Sequence, residues 1–257
     1  MWNLIKYELK SYFKELSILI GLVVFLNLLL LTRVGVWPRE AITAFAFLIA
    51  FVSSIVIFIW NISLYNRDIY GSTGYLLFTL PQKGYSILAS KMLSSLIQMV
   101  IVNLVSLLFI IWNLFKINDI AQILNMAKES LSSNAIVLAA FTTFYQYLYL
   151  LIFIYFCITI SKVAIRNKKT GKFGAFVIFV VISIVVGKLG AWISEVFPYS
   201  LNINIITEQA FQQLSQYANV TILPSIPFNV AYCIFNIITF IGFFVATSYL
   251  LEHKMDL

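Results

Sequence analysis

The sequence predicts an all-α integral membrane protein, and three observations carry that prediction. Of 257 residues, 61% are hydrophobic and only 11% charged, whereas soluble domains run nearer a quarter charged. The apolar runs are long and continuous, unlike the strands of a membrane barrel, which alternate in segments of about ten residues. The basic residues collect between the runs. Mean hydropathy is +0.96, and a water-soluble core of this size has no room for so much apolar surface.

Six spans follow: 16–31, 41–65, 87–114, 135–161, 174–196 and 229–251. Each is near or above the roughly 20 residues that cross a hydrocarbon core. The first resembles the opening of a signal peptide, but TRVGVWP follows Leu31 and offers no small-x-small cleavage site, so it is expected to be retained. No polar block is long enough for a second domain, and 1–257 reads as one transmembrane domain.

Net charge is +7. With the basic residues in loops, this points to topology and anionic lipid rather than nucleic acid. With a cytoplasmic N-terminus, the inner segments hold twelve Lys or Arg and the outer ones four: Arg33, Arg39, Lys116 and Lys128. Both termini are therefore expected in the cytoplasm. Cys157 and Cys233 lie inside apolar runs without metal-ligand spacing, and no disulfide is expected between them.

The connecting segments have patterns of their own. Trp2, Ile5, Leu9, Tyr12 and Leu16 recur at steps of three and four, with Lys6, Lys10 and Lys14 on another face. Residues 1–15 thus read as an amphipathic helix on the inner membrane surface, leading into the first span. Residues 117–131 and, more loosely, 203–218 read as amphipathic helices on the outer side.

Catalytic chemistry has little to work with. His253 is the one histidine, too few for a zinc site, and no metal or catalytic residue is assigned. Gly71-Ser-Thr-Gly74 and Gly171-Lys172 lack the spacing of a phosphate-cradling loop. Lys188 and Glu195 are the main pair of charges within a span. Snorkelling to the outer surface explains both; the alternative places Lys188 on a polar cavity. The spans also hold amides, with Asn27, Asn61 and Gln146 among them, and a ring-rich fourth run containing Tyr145 and Tyr149. Interhelical hydrogen bonding and packing are the plain account. The functional one is a weakly polar, aromatic translocation path formed by Asn27, Asn61, Tyr145, Gln146, Tyr149 and Lys188.

The stretch NRDIYGSTGYLLFTLPQKG at 66–84 is the most patterned polar interruption. Asp68 is expected to cap a short helix over 69–77. Gly71 and Gly74 would thin one face for close backbone approach. Tyr70, Tyr75, Leu76 and Phe78 would supply apolar anchors, with Pro81 as a stop. Such a segment suits docking better than a slack loop.

The string DIYGSTGYLLFTLP at 68–81, with Lys91 following, resembles the permease subunits of bacterial type-2 ABC exporters. So does the order of parts: surface helix, six spans, and the glycine-tyrosine-leucine to threonine-leucine-proline signature after the second span. One departure is Ser72-Thr73, where related sequences often carry an acidic residue. The resemblance implies a plasma-membrane protein working as a dimer, with itself or a related permease. A separate cytoplasmic ATPase subunit would bind the ATP and magnesium, with no cofactor in this chain. Residues 66–86 would be the coupling segment, with Arg67, Asp68, Tyr70, Gly71, Gly74, Tyr75, Leu76 and Pro81 touching the ATPase. The basic loop at 162–173 would meet the ATPase or anionic lipid, or serve only as a topology signal. Amphipathic peptides, toxins among them, are the cargo most consistent with the ring-rich spans. The rival reading is a membrane sensor or immunity component that binds peptides without pumping them.

Overall fold

A computed structural model describes residues 2–71, 83–116, 133–164, 168–204 and 225–253. Among these, seven helices and one two-stranded sheet follow in order: α1 Trp2–Ser11, α2 Phe13–Leu31, α3 Arg39–Tyr70, α4 Gly84–Lys116, α5 Ser133–Ala164, α6 Lys168–Val196, β1 Ser200–Asn204, β2 Ser225–Asn229 and α7 Val230–His253. The six helices α2 to α7 are each long and apolar enough to cross a membrane. Helices suit that environment because every interior backbone N–H and C=O is satisfied within the segment.

The expected spans are all present, and most are longer than their apolar cores. The 32 residues of α3 extend about 48 Å at 1.5 Å per residue, against roughly 30 Å of hydrocarbon. The surplus carries the polar residues Asn66, Arg67 and Asp68 beyond the apolar run as part of the same helix. Between α2 and α3 the chain reverses at Gly35, whose φ of +91° disfavours any residue with a side chain. Pro38 then precedes the first turn of α3, where its fixed φ suits a helix start.

The surface helix is shorter than the period predicted. It ends at Ser11, Tyr12 takes φ −107° and ψ 8°, and α2 begins at Phe13, so Leu16 belongs to the first span. Its facing is as expected: Ile5 and Tyr12 are buried, while Lys6, Lys10 and Lys14 are exposed. Two further expectations change. Asp68 caps no new helix, because α3 runs through it to Tyr70 and closes at an extended Gly71. Residues 203 and 204 belong to β1, which pairs antiparallel with β2 from Ser200↔Asn229 to Asn204↔Ser225. The expected helix at 117–131 and the remainder of 203–218 lie outside the described residues.

Two apolar clusters hold the bundle. One joins α2, α3 and α4 through Leu16, Leu19, Val23, Ile57 and Val102. The other joins α3, α4, α5 and α7 through Tyr65, Leu88, Met99, Leu151, Ile152, Tyr155 and Leu251. Helix α5 is the central one: half of its most apolar window is buried, against 6% for α6 and for α7. Aromatic rings fasten α6 and α7 onto it. Phe153 lies 5.0 Å from Phe179 and 5.1 Å from Phe243, centroid to centroid. The bundle thus has an α1 end, where α3, α5 and α7 finish and α4 starts, and an opposite end bearing the β-hairpin.

Candidate functional site

The described part of the patterned stretch lies at the α1 end, where five helices converge. Its centre is Lys91, about two turns into α4. The ammonium donates to Asp68 Oδ2 of α3 and lies 3.2 Å from Glu8 Oε1 of α1. The second Glu8 oxygen accepts from Ser94 Oγ at 2.7 Å. Side-chain exposure is 6% for Lys91, 13% for Glu8 and 14% for Asp68, so the three charges satisfy one another rather than water. One ammonium between two carboxylates leaves the cluster with a net charge of −1. Buried charges persist only when paired in this way.

Neighbouring contacts extend the cluster. Arg67 donates to the Tyr12 hydroxyl at 2.9 Å and lies 5.6 Å from that ring's centroid. Burial pushes the Tyr12 phenol above its ordinary value; Asp68 adds to the rise, while Arg67 and Lys91 oppose it. The Lys162 ammonium of α5 lies 5.0 Å from the ring centroid of buried Tyr70. From α7, Glu252 accepts the Gly84 N–H at 3.3 Å, placing a carboxylate at the positive end of α4. A Cβ on Gly84 would lie 2.5 Å from the Ser248 carbonyl, so only glycine lets these backbones meet.

Deeper in the bundle, hydroxyls join α3 and α4 to α5. Tyr65 OH and Thr159 Oγ1 are 2.7 Å apart, and Ser95 Oγ and Tyr147 OH are 2.5 Å apart. The Tyr65 and Tyr155 rings stack at 3.8 Å. Beside Tyr147, an open hollow of about 470 Å³ is lined by Met99 of α4 and by Thr142, Thr143, Gln146 and Tyr147 of α5.

Comparison with protein-family models, curated proteins and solved structures gave no match.

Of the expected coupling residues, Arg67, Asp68, Tyr70 and Gly71 meet at the α1 end, while Gly74, Tyr75, Leu76 and Pro81 lie outside the described residues. The expected path residues do not converge. Asn27 is buried in α2, donating to Val23 O at 2.8 Å, and its Oδ1 has no hydrogen bond. Asn61 donates to Gln98 Oε1 of α4 at 3.1 Å, the interhelical amide pairing that packing alone explains. Tyr149 faces α7, its hydroxyl 3.3 Å from Thr239 Oγ1. Tyr145 stands 6.2 Å from Tyr149, ring to ring, with its hydroxyl unbonded. Gln146 alone of the six lines the hollow. Lys188 and Glu195 are exposed on α6.

Glu8 is the functional candidate that sequence reasoning missed. The signal was present: steps of three and four from Ile5 put a carboxylate on the buried side of α1, between Ile5 and Tyr12. A charge on an apolar face calls for a counter-charge across the interface. Among the described residues no group of His, Cys, Asp and Glu has the arrangement of a metal site. Cys157 and Cys233 are both free thiols.

Proposed function

We propose that the chain is the transmembrane subunit of an ATP-driven exporter of the type-2 ABC kind. It would act as a dimer in a bacterial plasma membrane, with both termini in the cytoplasm, each copy seated on a separate ATPase subunit. The observation that carries this reading is the convergence at the α1 end. Asp68, which opens the DIYGSTGYLLFTLP stretch at the end of α3, and Lys91, which follows it on α4, are ion-paired to each other, and Lys91 also to Glu8 of the surface helix. Force applied to the connecting stretch would reach α1, α3 and α4 together. A passive peptide binder has no need of such a junction.

Amphipathic or apolar cargo, peptides above all, suits spans rich in rings and uncharged amides. Within that reading the cargo contacts are Gln146 and the open hollow beside Tyr147. Asn27 and Asn61 act as packing residues.

Co-purification in mild detergent, without crosslinker, tests the proposal. Two copies of this chain with two copies of an ATPase, by native mass analysis, support it. A chain that purifies alone, or only with a kinase or another membrane protein, favours the sensor reading.

A further inference from the structure

We propose that Lys188, Trp192 and Glu195, on the exposed face of α6, form a headgroup site for a phospholipid that carries an amine beyond its phosphate, as phosphatidylethanolamine does. This goes beyond the exporter reading and does not depend on it.

The three residues share one face. Lys188 and Glu195 are nearly two full turns apart, about 10 Å along the helix axis. Trp192, one turn beyond Lys188, lies between them. All three are exposed, Trp192 at 61%. The face continues into the span as Val181, Ile184 and Val185, exposed as well. Helix α6 is long and apolar enough to cross a membrane, and only 6% of its most apolar window is buried.

Their depths differ in a definite order. Lys188 stands about 12 Å before the end of α6 at Val196, so its stem starts within the hydrocarbon and carries the ammonium up to the phosphate level. Trp192 falls at the interface, where an indole ring is favoured. Glu195, next to the helix end, stands beyond it. Outward from the membrane centre, the face presents a cation, a ring and an anion.

A phosphatidylethanolamine headgroup presents the complementary order: apolar chains, a phosphate, then an ammonium nearer to water. That order is the same in either leaflet, so the match holds whichever end of α6 faces the cytoplasm. Lys188 would donate to a phosphate oxygen and Glu195 would accept from the lipid ammonium, both as charge-assisted bonds. Among the described residues, neither side chain has an ion-pair or hydrogen-bond partner within the chain. Gly187, exposed beside Lys188, has nothing within 4 Å of an added Cβ, and leaves low relief for an acyl chain.

Other occupants fit less well. A lipid with a phosphate and no amine leaves Glu195 facing an anion. A second copy of this chain, related by a two-fold axis along the membrane normal, would set each charge against its own like at equal depth.

The lipid composition around Trp192 tests this on the whole chain in nanodiscs, without any ATPase. The other four tryptophans are replaced by Phe, leaving Trp192 as the fluorophore. The nanodiscs hold phosphatidylethanolamine and phosphatidylglycerol in equal parts, with bromine near the headgroup of first one and then the other. The two degrees of quenching give the relative affinity at the ring. Phosphatidylethanolamine is expected to be favoured by about five-fold, the scale of one exposed ion pair. Glu195→Gln is expected to abolish the preference, and Glu195→Lys to reverse it. Equal affinity in the chain with Glu195, or a preference that both substitutions leave unchanged, overturns the inference. Weak quenching by both lipids would mean that protein covers the face, and overturns it too. Should the four replacements prevent insertion, native mass analysis with all tryptophans intact makes the same comparison. Glu195→Gln is then expected to retain less phosphatidylethanolamine and no less phosphatidylglycerol; unchanged retention of phosphatidylethanolamine overturns the site. A chain that purifies without an ATPase would sink the transport reading and leave this result intact.

Discussion

Glu8 of the surface helix and Lys91 of the third span lie 3.2 Å apart with their side chains almost wholly closed to water. Eighty-three residues of sequence separate them, and the pair decides where α1 lies. An amphipathic helix resting on lipid alone would be free to rotate and slide. One whose carboxylate is held by a buried ammonium is registered to α4.

The cluster predicts an asymmetry among its members. Lys91→Met leaves two carboxylates without a cation and should destabilise the chain by about 3–5 kcal/mol, the usual cost of breaking a buried pair from one side. Glu8→Gln should cost far less, because the Lys91–Asp68 pair survives and the amide oxygen can still accept from Ser94. Thermal unfolding in detergent, followed by tryptophan fluorescence, measures both.

Two glycines predict opposite signs. Gly84→Ala puts a methyl 2.5 Å from the Ser248 carbonyl, and backbone cannot yield as a side chain would; a loss of about 1–3 kcal/mol is expected. Gly242 has nothing within 4 Å of an added Cβ and lies inside α7. Gly242→Ala should be neutral or stabilising by up to about 1 kcal/mol through helix propensity. The same unfolding assay separates them.

Tyr65 supplies more by its ring than by its hydroxyl. Tyr65→Phe removes the bond to Thr159, which retains Tyr155 O, and should cost about 0.6 kcal/mol. Tyr65→Ala empties a site that is 1% exposed and should cost about 3–5 kcal/mol. A comparable loss for both would mean that the hydroxyl pair, not the stack, holds α3 to α5.

Sidedness is expected to follow the basic residues. With Cys157 and Cys233 replaced, Leu201→Cys on the exposed hairpin should react with an impermeant maleimide on intact cells. Lys10→Cys, exposed on α1, should react only after lysis. The reverse pattern would invert the topology and place the α1 junction outside, out of reach of any cytoplasmic ATPase.

The exporter reading predicts uncoupling at Tyr70. Its ring is buried beneath Lys162, at the last turn of α3 before the connecting stretch. Tyr70→Ala should preserve insertion and ATPase binding while export per ATP hydrolysed falls by about ten-fold or more. Full export by that variant would remove Tyr70 from the coupling path.

The sequence by itself determined the number of spans and their places, because a run of about 20 apolar residues has no stable alternative to a membrane helix. It also determined the buried and exposed faces of α1, since helical period alone sets them. It did not determine where the polar ends of α3 and α1 stop. Asp68 has the side chain of a helix cap, and only the presence of Lys91 across the interface makes it more favourable inside α3 as an ion-pair partner. Nor did it reveal the pairing of residues 50 to 100 positions apart: Tyr65 with Thr159, Ser95 with Tyr147, Glu8 with Lys91. Local period assigns a side chain to a face; only the packing of helices decides which other face meets it. For that reason Asn27, Asn61, Tyr145, Gln146, Tyr149 and Lys188, alike in being polar within apolar runs, came apart in three dimensions into packing residues, one residue at the open hollow and one exposed cation.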